Sequence, residues 1–242
     1  DVGSLLKGPA ESKILIEILR DDVKILKNVI REDIQVPAVT FYKKLKNEIG
    51  YIKLNSFTTS SAKEFGLALN NLRKEKIEKL IIDLRSNGGG LLNEAVKIVN
   101  FFVEKGELVV STKSRNEQMN RSYYCRNTPV DTSLPIVVLI DELSASASEI
   151  VAGGLQDLDR AIIIGNTSFG KGLVQQTKQV SFGGQIKLTV AKYYTPSGRC
   201  IQKIDYSKKD VGKSKRIEDS LVKKFVTKNG REVTDSRGVE PD

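Results

Sequence analysis

Histidine is absent from all 242 residues. With it go the commonest general base and the commonest metal ligand, so neither a Ser-His-Asp nor a Cys-His site can exist in this chain. Nucleophilic catalysis here would need a lysine, a carboxylate or a metal as activator. Tryptophan is absent too, and aromatic residues make up only 6%, which leaves the core to Ile, Leu and Val. The two cysteines, Cys125 and Cys200, lack a CxxC spacing, which argues against zinc. They fit a disulfide in an oxidising compartment or two core thiols. No stretch approaches 18 apolar residues, so no helical membrane span is expected. No signal-peptide pattern opens the chain.

What is present suits a soluble globular protein: 39% hydrophobic and 29% charged residues, with length for a sizeable core and a small appendage. The net charge is 39 − 30 = +9. Its basic residues are scattered among acidic ones, and the densest basic stretch, Lys203 to Arg216, has few aromatics for base stacking. No nucleic-acid partner is expected.

Periodicity sets out the elements. Ile14, Ile16 and Ile18 alternate with Leu15, Glu17 and Leu19 as in a strand, with a partner from Val23 across an Asp21-Asp22 turn. Strands are predicted over residues 51–57, 79–85, 135–140, 161–165 and 185–194. Helices are predicted from Ser60 or Ser61 to Lys76, from Leu92 to Val103 with Gly106 as the stop, and over residues 145–158. Arg216 to Lys224 reads as a further helix. Strands alternating with helices at this spacing imply an α/β fold with a mixed, partly parallel sheet.

Sheets of that kind place chemistry in loops at strand ends. Gly165 to Gly172 is one residue from a P-loop, but Gly172 stands where Ser or Thr would hold magnesium, and Leu173 to Thr177 reads as strand rather than helix. Ser146-x-x-Glu149 is a capping box at a helix start. The same position also puts a serine where backbone N–H groups and the helix dipole can stabilise an oxyanion. Asn87-Gly88-Gly89-Gly90 has more glycine than most turns need, and backbone without side chains can approach a substrate closely.

Taken together, four segments resemble the carboxyl-terminal processing (tail-specific) proteases, over roughly residues 48 to 203. They are Asp83-Leu84-Arg85-Ser86-Asn87 with its glycines, Ser144 to Gly153, Thr167 to Gly172 with Gln175, and Tyr194-Thr195-Pro196-Ser197-Gly198-Arg199 with Ile201-Gln202. The resemblance implies a crotonase-like α/β protease core over residues 37–205. It also implies the residual end of an N-terminal PDZ domain over 1–36, with Glu11-Ser12 in place of the usual Gly-Thr, and a C-terminal segment, 206–242, packing on the core.

By the same resemblance Ser146 is the nucleophile, Lys171 the general base and Gln175 the residue that orients it. The N–H groups of Ala147 and Gly89 form the oxyanion hole, and Glu149 remains the helix cap. No metal and no cofactor are implied. A lysine must be neutral to accept a proton, so Lys171 is expected in a mostly apolar pocket without a carboxylate partner. The implied activity is a serine endopeptidase cleaving proteins at or near extended, apolar C-terminal tails through an acyl-enzyme. The alternative is a catalytically inactive peptide-binding module on the same fold. The resemblance further implies a bacterial cell envelope, specifically periplasmic, setting, and allows a homo-oligomer. It also leads to the expectation of a fragment or trimmed chain, with a loop missing around Ser207 to Lys215.

Overall fold

The computed structural model describes residues 2–34, 36–210 and 213–242. The chain divides into two compact units, residues 1–36 and 37–242. Residues 206–242 therefore belong to the same unit as 37–205.

The first unit holds a short helix α1 (Val2–Leu6) and the hairpin of β1 (Lys13–Arg20) and β2 (Val23–Ile30). These strands pair antiparallel from Lys13 opposite Ile30 to Arg20 opposite Val23. Asp21 and Asp22 form the two-residue turn, with φ of 50° and 60°. That positive pair matches the strands' right-handed twist, and Asp tolerates it better than most residues.

The second unit runs β3 (Val39–Lys44), β4 (Ile49–Leu54), α2 (Ser61–Lys74), β5 (Lys79–Asp83), α3 (Leu92–Val99), β6 (Leu108–Lys113), β7 (Arg121–Tyr124), β8 (Ile136–Ile140), α4 (Ala147–Asp157) and β9 (Ile162–Gly165). It continues with β10 (Leu173–Gln179), β11 (Gln185–Tyr194), β12 (Ile204–Asp210), β13 (Lys213–Arg216), β14 (Lys224–Val226) and β15 (Glu232–Thr234). The central sheet has order β3-β4-β5-β8-β9. Its β4, β5, β8 and β9 are parallel, while β3 is antiparallel to β4.

One cross-strand row fixes the register. Ile52 lies opposite Ile82, Ile82 opposite Val138, and Val138 opposite Ile163, all with no exposed surface. A one-residue slip would turn this whole row to the other face. Phe65, Leu69 and Leu72 of α2, Ile98 of α3 and Leu155 of α4 share the same buried core.

A second, antiparallel sheet has order β10-β11-β6-β7. The pairs β12–β13 and β14–β15 are separate hairpins. Arg199 and Asp157 form a fully buried ion pair at 2.8 Å. Arg199 also donates to Gln156 Oε1 and Thr234 O, joining α4 to β15.

Arg216 to Lys224 is not the helix expected of it. Arg216 ends β13, a 3-10 turn spans Asp219–Leu221, and Lys224 opens β14. The segment offers one short apolar pair, Ile217 and Leu221, and so short a helix is marginal. The missing loop expected around Ser207 to Lys215 falls on residues 211 and 212, which lie outside the described residues. Cys125 and Cys200 are free thiols rather than a pair, and burial pushes the Cys125 thiol up to about 11.

Candidate active site

The order β5-β8-β9 in a parallel register brings three loops to one edge of the central sheet, because each follows the carboxyl end of its strand. They are Asn87 to Gly90 after β5, Ser144 to Ser146 after β8, and Asn166 to Gly172 after β9. The same three loops stood out in the sequence, and parallel topology is what makes them neighbours.

Ser146 is the residue before α4, with φ 58° and ψ −112°. A non-glycine residue in this region is strained by about 1–3 kcal/mol, and such strain collects at functional sites. A serine on a sharp strand-to-helix turn is also the geometry that presents a nucleophilic hydroxyl above a sheet. The Glu149 carboxylate accepts the Ser146 N–H at 2.8 Å, so the cap expected of Glu149 is in place.

Glu149 does more than cap. It is fully buried and its Oε2 also accepts the Lys171 N–H at 2.9 Å. Its Oε1 accepts the Gly170 N–H at 2.7 Å and the Ser168 hydroxyl at 2.5 Å. Burial pushes this carboxyl above its ordinary value, although Ser168 and three backbone N–H groups pull it back. The serine turn and the lysine loop are thus joined through one carboxylate.

Lys171 is half-buried rather than fully enclosed. It lines a cavity of about 1010 Å³ together with Phe169, Leu173, Ile204, Ile217 and Leu221. No ion pair joins its ammonium to a carboxylate among the described residues. Gln175 lines the same cavity but is exposed and forms no hydrogen bond with Lys171 among the described residues. The β10 strand has a register break between Val174 and Gln175, which changes the facing of the residues beyond it.

Gly89 has φ 98°, and a Cβ there would lie 2.6 Å from Ala145 O, 2.8 Å from Ser146 Cβ and 2.9 Å from Ala147 N. Only glycine fits this close approach to the serine turn. Ala147 opens α4, where its N–H has no acceptor within the helix. The Gly89 N–H, however, donates to Asn87 Oδ1 at 2.9 Å. Of the two expected oxyanion donors, the structure leaves Ala147 available and turns Gly89 towards Asn87.

Sequence reasoning missed three participants. Asn87 is fully buried, donates to Leu54 O at 2.8 Å, and through its own carbonyl accepts the Ala145 N–H and the Ser148 hydroxyl. Tyr193 on β11 is buried, with its hydroxyl 2.5 Å from Lys171 O and 3.2 Å from Ser146 O. Ser168 receives the Val239 N–H on its hydroxyl, and its own N–H bonds Val239 O. Each looks in sequence like an ordinary loop or strand residue; only the Asn87 turn carried a local signal.

The opening of the Asn87 loop is anchored by Asp83. Burial pushes its carboxyl up, but hydrogen bonds from Arg85 and Tyr51 and the Lys53 charge outweigh burial and hold it well below the usual carboxylate range. Among the described residues no group of acidic or cysteine side chains forms a metal-ligand cluster. Among the described residues no helix is long and apolar enough to cross a membrane. The segment Gly165 to Gly172 leads into β10 and not into a helix, so the P-loop reading lacks the helix terminus it requires.

A profile of peptidase family S41 matches residues 48–212. The chain is 39% identical over 209 residues to the carboxy-terminal-processing protease of Bartonella bacilliformis, covering 82% of this chain and 46% of that one. It is 35% identical over 201 residues to the carboxy-terminal processing protease CtpA of Bacillus subtilis, covering 83% and 42%. Among solved structures it is similar to the photosystem II D1 C-terminal processing protease, with a TM-score of 0.63 and 29% identity over 83% of this chain and 55% of that one. The chain therefore spans less than half the length of the curated relatives named here. It belongs to peptidase family S41.

Proposed function

We propose that the chain is the catalytic part of a serine endopeptidase that cleaves proteins at or near their C-terminal tails through a Ser146–Lys171 dyad. The observation that carries this reading is the single buried carboxylate of Glu149, which holds the backbone N–H groups of both Ser146 and Lys171. The strained backbone of Ser146 at a helix start, and names carrying C-terminal processing among the relatives, support it.

In this mechanism Lys171, as a free amine, takes the Ser146 proton while Oγ attacks the scissile carbonyl. The Ala147 N–H receives the oxyanion, and Gly89 joins it once its N–H leaves Asn87. The protonated lysine then gives its proton to the leaving amine. Water activated by the same lysine hydrolyses the acyl-enzyme. The cavity beside Lys171, walled by Phe169, Leu173, Ile204 and Leu221, suits an apolar stretch of substrate. This reading keeps the core as crotonase-like and residues 1–36 as the end of a PDZ domain, and it keeps an envelope setting.

The test is cleavage of an unstructured protein by the wild type, Ser146→Ala and Lys171→Ala. Cleavage by the wild type alone supports the dyad; cleavage by Ser146→Ala overturns it. Two observations favour a second reading, the inactive peptide-binding module: the Gly89 N–H is held by Asn87, and the Lys171 side chain is only half-buried. That reading predicts peptide binding without cleavage by any of the three proteins.

A further inference from the structure

Two side chains hold the main chain of both dyad residues from opposite sides. Glu149 accepts the N–H of Ser146 and the N–H of Lys171. The Tyr193 hydroxyl reaches the carbonyl oxygens of the same two residues, at 3.2 Å and 2.5 Å. A carboxylate gripping each residue only at its nitrogen leaves each free to swing about that point. A second grip at the carbonyl restricts that swing to rotation about the axis through the two held atoms.

Tyr193 is well placed for this. It lies near the end of β11, where Lys192, Tyr193 and Tyr194 pair with Lys113, Thr112 and Ser111 of β6. Its own N–H donates to Gly172 O at 2.9 Å, so the strand is bonded to the residue that follows Lys171. Burial, and after it the charge of Glu149, push the phenol well above its ordinary value, which favours the neutral hydroxyl that donates. One proton serves two acceptors. The shorter contact, to Lys171 O, takes most of it, while Ser146 O also accepts the Ile150 N–H of α4 at 3.0 Å. Tyr193 therefore matters most for the carbonyl side of the lysine loop, whose N–H groups Glu149 already holds.

We infer that Tyr193 is a positioning residue that sets the spacing between Ser146 and Lys171 by donating its hydroxyl to the main chain of both. The inference rests on the Ser146–Lys171 reading. Tyr193 is buried, so removal of its hydroxyl should slow the chemical step and leave substrate binding alone. A misplacement of about 1 Å between reacting groups costs on the order of 100-fold in rate.

The experiment is steady-state cleavage of an unstructured protein or peptide by the wild type, Tyr193→Phe, Ser146→Ala and Lys171→Ala. Every measurement is made well below each protein's Tm, so that an unfolded fraction cannot imitate a slow enzyme. The expected result for Tyr193→Phe is kcat lower by about 10- to 100-fold with KM within about twofold. Unchanged kcat, or a KM that rises as kcat falls, overturns the positioning role. A Tyr193→Phe protein that does not fold overturns it as well, by making the hydroxyl a requirement of the fold. The two ideas fail differently: cleavage by Ser146→Ala, or none by the wild type, removes the dyad and this inference together. Wild-type cleavage that needs Ser146 and Lys171 but ignores Tyr193 removes the inference alone.

Discussion

The two halves of the candidate site are built in opposite ways. On the serine side almost everything is buried and cross-linked: Asn87, Ser144, Ala147, Ser148 and Glu149 are essentially without exposed surface. The Ser144 hydroxyl donates to Leu84 O and the Ser148 hydroxyl to Asn87 O, so the turn is tied to the loop after β5. On the lysine side the main chain of Lys171 is held but its side chain is not paired with a carboxylate among the described residues. The Lys171 side chain stands in a cavity of about 1010 Å³, and beyond it β10 and β11 are largely exposed. A nucleophile must be held in one strained conformation, so its surroundings are packed. A base at the end of a long flexible side chain needs room and an entrance, and its surroundings are completed by what enters.

That contrast can be broken at either end. The largest effects should come from the dyad itself: Ser146→Ala and Lys171→Ala are each expected to lower kcat/KM by about 10⁴-fold or more. Their stabilities should part company. Ser146 sits at φ 58°, so Ser146→Gly should be more stable than Ser146→Ala by about 1–2 kcal/mol in denaturant unfolding, though both are inactive. Equal stabilities would mean that the turn is relaxed and the serine side less constrained than described.

Next comes Gly89→Ala, whose Cβ would strike Ala145 O and Ser146 Cβ. It should cost about 100-fold or more in activity, as losing an oxyanion donor does, and about 1–2 kcal/mol for the positive φ. Gly88→Ala, with nothing within 4 Å of its Cβ, is the matched control and should be tolerated. Similar behaviour of the two variants would contradict the close packing of the serine side.

Acid should act on the serine side first. The Asp83 carboxyl is held below its unfolded value, so its stabilising contribution is complete above about pH 5 and is lost as pH falls through the folded value. Thermal midpoints between pH 7 and pH 3 should fall, and Asp83→Asn should flatten that fall. Glu149 works in the opposite sense, since a raised carboxyl favours the folded state as pH drops towards its folded value. An undiminished acid slope in Asp83→Asn would shift the cause to other carboxylates.

The smallest effect belongs to the lysine side. Gln175→Ala should reduce kcat by less than about threefold, because Gln175 is exposed and makes no bond to Lys171. A tenfold loss would restore its expected orienting role and show that the cavity closes on substrate.

The legible parts of the fold were those written in one-dimensional patterns. β4, β5, β8 and β9 announced themselves as apolar runs between turn residues, and α2, α3 and α4 by helical spacing. The edge strands β3 and β7 did not, since Thr40-Phe41-Tyr42-Lys43 and Arg121-Ser122-Tyr123-Tyr124 mix polar and apolar residues and are stabilised by cross-strand partners. In the site, Ser146, Glu149 and the glycine loop could be found because capping and turn chemistry are local. Tyr193 and the contacts of the Asn87 carbonyl could not, because they reach residues brought near by topology. The Gly89 orientation was equally out of reach, since a single Asx contact decides it.

The contact between Ser168 and Val239 has a consequence in time as well as in space. The loop carrying Lys171 is hydrogen-bonded to a residue 71 positions further along the chain. A polypeptide growing from its N-terminus would therefore possess Ser146, Lys171 and Tyr193 well before the segment that steadies their loop has been made. The geometry of the Lys171 loop is therefore completed only after a segment 71 residues downstream of Ser168 has been made.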